Sequence, residues 1–177
     1  MGSFKEIDDF FEKFSNEFME RSLPNIIAEK ATAFFKDRFT TKEWDGQAWP
    51  ETKKAVSRGS LMVRSGALVN SIKPKTVTQE KVVISAGSDK VPYARIHNEG
   101  GIISHPGGTP YFLDKKNDGK AVFVSKKKAT EWATKNGTYL PITKPHNIPM
   151  PMRRFMGISQ GLKDTLFAAI KSAFNAI

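Results

Sequence analysis

Phenylalanine recurs at helical spacing through the first forty residues, and that pattern governs what the chain can fold into. Phe4, Ile7, Phe11, Phe14 and Phe18 fall at three- and four-residue steps, so residues 4 to 20 predict an amphipathic helix with one aromatic face. Ser3 and Glu6 form an S-x-x-E capping box, which satisfies N–H groups left open in a first turn. Pro24 suits a first helical turn and marks a kink or a fresh start. Ile26, Ile27, Ala31, Phe34 and Phe35 then carry the pattern to about Phe39. Stripes of this kind are expected in the core. Asp8, Asp9, Glu12 and Glu17 lie opposite them and read as solvated surface. A last amphipathic helix is predicted from Ser159, as its N-cap, to Ala176, with Leu162, Leu166, Phe167, Ile170 and Phe174 on its apolar side.

The middle of the chain has a different grammar. Residues 40 to 54 carry turn chemistry at Asp45-Gly46 and Trp49-Pro50. Trp44 and Trp49 must bury large rings, either by pinning this loop to its own domain or in a subunit contact. Residues 61 to 72 read as a short helix or turn feeding a strand, and residues 72 to 77 pair with the β-branched run that follows to Ser88. Residues 93 to 101 begin as a helical turn or edge strand and end at a double glycine. Asp118-Gly119 between two apolar runs signals a hairpin. A short helix closed by Gly137 follows, and then Pro141, Pro145, Pro149 and Pro151 impose an extended path. The predicted class is α+β: a small antiparallel β-sheet packed against N-terminal and C-terminal helices, with an inserted β-hairpin. Residues 1–177 read as one domain with an insertion at about 102–148.

The 177 residues are 39% hydrophobic and 26% charged, enough to bury a core and too apolar for a disordered chain. The absence of cysteine excludes disulfides and thiolate metal sites. No apolar stretch is long enough to cross a bilayer, and the opening MGSFKE is not a signal peptide, so the expected location is the cytoplasm. The net charge of +10 points to an anionic partner, nucleic acid or an acidic protein face; solvated surface explains it as well, because the lysines are scattered.

Catalytic patterns fail one by one. GISQG at residues 157 to 161 spells a nucleophile elbow, but no convincing strand precedes Ser159 and no histidine follows it. His97, His105 and His146 match no zinc spacing, although a site assembled in space with Asp89 or Glu99 stays open. Neither a phosphate loop nor a dinucleotide fingerprint is present. No catalytic, cofactor-binding or metal residue is assigned, and the chain is expected not to be an enzyme.

Four segments in order carry a resemblance: FTTKEWDGQAW (39 to 49), LMVRSGALVNSI (61 to 72), YARIHNEGG (93 to 101) and IPMPMRRFMGIS (148 to 159). Set between two terminal helices, over about residues 25 to 175, they resemble the phage virion morphogenesis family, whose type member is the Mu-like G protein, a tail completion protein. The sequence departs from the family pattern at Arg154, where proline is usual, and in a longer 102–148 segment. The resemblance implies a non-enzymatic part of the virion that completes the tail at its head-proximal end and enables head–tail joining. It implies a homo-oligomeric ring, a hexamer, in contact with tail tube or sheath and head–tail connector proteins. DNA would pass through such a ring, and no membrane is involved.

Interface candidates are Trp44, Trp49, Tyr111, Phe112, Phe123, Arg153 and Arg154. The three hairpin aromatics would serve as anchors, or fold back on their own domain. The two arginines would meet acidic neighbours or DNA, or form local salt bridges. Arg64 and Arg95, inside the family-like segments, are expected to hydrogen-bond in buried or half-buried positions. The alternative function is a basic nucleic-acid-binding module, resting on the charge and on Lys126-Lys127-Lys128.

Overall fold

A computed structural model describes residues 3–52, 58–114 and 120–176. The chain divides into two compact units, one formed by Met1–Gly100 with Pro151–Ile177, the other by Gly101–Met150. The class is α+β.

In the first unit, α1 (Ser3–Lys13) continues through a π-helical segment (Phe14–Ser22) into α2 (Leu23–Thr41). The change of register falls just before Pro24, which has no N–H to give to the carbonyl four residues upstream, so an unbroken α-helix cannot run into it. The Asn25 side-chain amide donates to the Arg21 carbonyl at 2.7 Å, satisfying an acceptor at the junction. The Ser3 side chain, half of the expected capping box, lies outside the described residues.

A two-residue hairpin follows α2, with β1 (Glu43–Trp44) against β2 (Gln47–Ala48). Asp45 at φ 47° and Gly46 at φ 77° form its loop, the paired positive φ angles that a type I′ turn demands. Next come α3 (Ala67–Asn70), the hairpin of β3 (Lys73–Val77) and β4 (Val82–Ser85), and α4 (Ala94–Glu99). The unit ends in α6 (Gln160–Phe174), whose N-cap Ser159 accepts from the Leu162 N–H at 3.0 Å. Helix α2 packs against α6, β3 and β4. Ala31, Phe35, Phe39, Trp49, Leu68, Ile72, Val91, Ala94, Phe155 and Leu162 form the core. Phe155 and Ile72 are its most enclosed side chains, each worth about 1.5–3 kcal/mol of burial.

In the second unit, β5 (Gly101–His105) pairs with β8 (His146–Met150), and β6 (Tyr111–Asp114) pairs with β7 (Lys120–Phe123). The turn at Asp118-Gly119 lies outside the described residues. α5 (Lys126–Asn136) closes at Gly137, φ 69°. Among the described residues the strands form four separate two-stranded ladders, not one sheet.

The aromatic stripe of α1 departs from expectation. Phe4, Ile7, Phe10 and Phe11 are exposed, and only from Phe14 onward does the stripe find cover. Phe14 and Phe18 meet Phe174 edge-on, with ring centroids 5.8 and 6.3 Å apart. The physical reason is reach: Phe174 is the last aromatic of α6, and no described ring beyond it covers the three turns upstream. Phe167 and Phe174, expected on the apolar side of α6, are themselves largely exposed.

Candidate assembly site

Apart from Gly101 and residues 148–150, the four sequence segments singled out above lie in the first unit. The Trp49 indole N–H donates to the Arg154 carbonyl at 2.7 Å, and its ring meets Phe39 edge-on at 5.4 Å. Phe39 in turn packs on Phe155 at 5.0 Å. The Arg153 guanidinium donates to the carbonyls of Pro50 at 2.8 Å and Glu51 at 3.2 Å, and its backbone N–H donates to the His97 carbonyl at 2.8 Å. Asn98 Oδ1 accepts from two backbone N–H groups at once, Phe155 and Met156, each at 2.9 Å. Ser71 Oγ donates to the Leu68 carbonyl at 2.7 Å and accepts from the Gly87 N–H at 2.9 Å. Lys42 Nζ donates to the carbonyls of Phe39 and Leu61, and burial lowers its pKa. Gly100, at φ 72° and ψ −174°, occupies backbone space almost reserved for glycine, and a Cβ there would stand 2.9 Å from the Met152 N–H nitrogen.

The family-like segments thus build a knot that ties the 39–51 stretch, α4 and the 152–156 segment together. The interface candidates divide accordingly. Trp49 and Arg153 are buried in the knot, 5% exposed each, and both pin the loop to its own unit. Trp44 is half-buried between Phe34 and Phe35, while Arg154 is exposed. In the second unit Tyr111 is half-buried against Phe123 across the β6–β7 ladder, and Phe112 and Phe123 are exposed. Arg64 and Arg95 are not buried: Arg64 is exposed, and Arg95 reaches along the surface of α4 to Glu99 at 2.9 Å, one turn on. The short α4 has one inward side, and Ala94 takes it.

A cleft of about 330 Å³ opens beside the knot, walled by Leu61, Met62, Leu68, Tyr93, His97 and Arg153 among others. Among the described residues no Asp or Glu lines it. Arg153 has no carboxylate within ion-pair distance among the described residues, and burial pulls its pKa down. His97 Nδ1 is buried without a hydrogen-bond partner among the described residues. Burial, and then the charge of Arg153, hold the His97 pKa below its usual value. A base depressed in the folded state favours unfolding as it is protonated, so its penalty is absent above the ordinary histidine pKa and grows as pH falls through it. Urea unfolding at pH 7.5 and 5.5 is expected to show a larger loss for the native chain than for His97→Gln; equal losses would mean that His97 titrates normally.

The other histidines meet as a cross-strand pair in the second unit, His105 stacked on His146 at 4.9 Å. Among the described residues no three His, Asp or Glu side chains gather as metal ligands. Ser159 is committed to its capping bond in extended backbone, not set on the strained strand-to-helix turn of a nucleophile elbow.

The sequence profile of the phage virion morphogenesis family matches residues 3–175, almost the whole chain. The chain belongs to the phage virion morphogenesis family. No curated protein and no solved structure matches it. Membership gives this virion morphogenesis protein a structural or assembly role in a phage particle. Among its described residues no helix is long and apolar enough to cross a membrane.

What the sequence did not signal is the bareness of the second unit. Pro110 is its one buried residue among those described. Ile102, Leu113, Phe123, Tyr139 and Ile142 are each more than half exposed. Apolar runs in the sequence read as strands but carry no mark of whether anything covers them.

Proposed function

We propose that this chain completes the phage tail at its head-proximal end and enables head–tail joining, as one subunit of a closed ring. It carries out no turnover. It works through surfaces that neighbouring subunits, tail tube or sheath and connector proteins cover. Family membership supports the virion role, and the observation that carries the assembly reading is the second unit. A unit with one buried side chain among its described residues cannot supply a core of its own, and exposed apolar surface on this scale marks a surface that a partner covers. Two-stranded ladders also leave outward edges able to accept a further strand from a neighbour.

The reading is tested by complementation of the parent element lacking this gene. Phe112→Ser with Phe123→Ser removes two exposed anchors and leaves the core of the first unit untouched. At about 1–2 kcal/mol per anchor, joined particles are expected to fall at least about tenfold with an unchanged unfolding midpoint of the first unit. Undiminished particle yield would count against the hairpin as an assembly surface. Tight duplex-DNA binding with a steep salt dependence would instead favour the nucleic-acid-binding alternative.

A further inference from the structure

Helix α1 is amphipathic, yet no described residue covers its apolar side. Phe4 is 83% exposed, Phe11 61%, and Ile7 and Phe10 about half. The helix is also acidic within a strongly basic chain: Glu6, Asp8, Asp9 and Glu12 against Lys5 and Lys13, a net of −2.

The second unit offers the complementary surface. Eight lysines against three carboxylates give residues 101–150 a net of +5. Helix α5 buries none of its residues. Beside it runs an open groove of about 510 Å³ with apolar walls from Ala129, Leu140, Pro141 and Ile142 and an exposed lysine, Lys126, among them. Tyr139, 89% exposed, stands at the same groove.

We propose that α1 of one copy docks into the α5 groove of a second copy, with Phe4, Ile7 and Phe11 as anchors and the net negative charge of the arm complementing the lysines around Lys126–Lys128. An amphipathic helix reads a groove through anchors at this spacing. The occupant is a second copy because the same chain supplies one acidic arm and one basic groove. Such a head-to-tail contact uses different surfaces on its two sides, the kind that closes into a ring when the rotation permits. The inference rests on the self-assembly part of the proposed function and names the contact that carries it.

The test places a benzophenone photocrosslinker at Phe11 in the full chain, irradiates it, and maps products by mass spectrometry. The expected product has twice the chain mass and joins the arm to a peptide within residues 126–142, with a yield that falls as salt screens the charges. Phe4→Ser with Ile7→Ser lowers that yield about tenfold without moving the unfolding midpoint, because both side chains are exposed. A cross-link within one chain, one to another segment, or none at all overturns the proposal. Sedimentation of the unirradiated chain separates the two readings. Self-association without this cross-link removes the arm contact and leaves the ring, while a monomer at every concentration without the cross-link counts against both.

Discussion

Phe155→Ala is expected to cost about 3–5 kcal/mol of unfolding free energy, the range for deleting an enclosed aromatic side chain. The ring is 1% exposed and packs directly on Phe39, which packs on Trp49. Removing it opens a cavity at the centre of the knot, where three separate chain segments meet and none can collapse inward alone. Phe155→Leu should recover most of the loss, since it restores apolar volume. Chemical denaturation followed by tryptophan fluorescence reads both variants, because Trp49 lies one ring away from the cavity. A loss below about 1 kcal/mol would mean that the 152–156 segment is not packed as described.

Asn98→Ala is expected to cost about 2–4 kcal/mol. Its side-chain carbonyl is the acceptor for both the Phe155 and Met156 N–H groups. Truncation strands both donors, and each orphaned buried donor costs about 1–3 kcal/mol, less where water can enter. Met156 is half-buried, which puts the expected sum below the full two-donor maximum. Asn98→Asp keeps the acceptor and nearly the same volume, so it separates loss of the hydrogen bonds from loss of volume. If Asn98→Ala and Asn98→Asp destabilise equally, the acceptor role is wrong.

These two residues show what was legible beforehand. Asp45-Gly46, Ser159 and Gly137 gave their turn and caps directly, because each role needs only local chemistry. The β3–β4 pairing was legible for the same reason, being local in sequence. The pairing of β5 with β8 was not: Gly101–His105 has little strand character alone, and its partner lies more than forty residues on. Asn98 carried no signal, since an asparagine next to a histidine on a short helix does not announce two backbone donors more than fifty residues away. The periodicity of Phe4, Ile7 and Phe11 predicted the helix correctly and its burial wrongly. Spacing fixes which side of a helix is apolar, whereas cover depends on whether another element reaches it. The same distinction separates Trp49 and Arg153, turned inward, from Phe112 and Phe123, turned outward. All were conspicuous residues in the sequence, and only packing sorts them.

Electron microscopy of lysates from the parent element with this gene deleted tests tail completion most directly. Full heads lying beside unjoined tails are expected, with overlong tails if the chain also stops tail growth, and joined particles restored when the gene is supplied in trans. Normal joined particles from the deletion would contradict it.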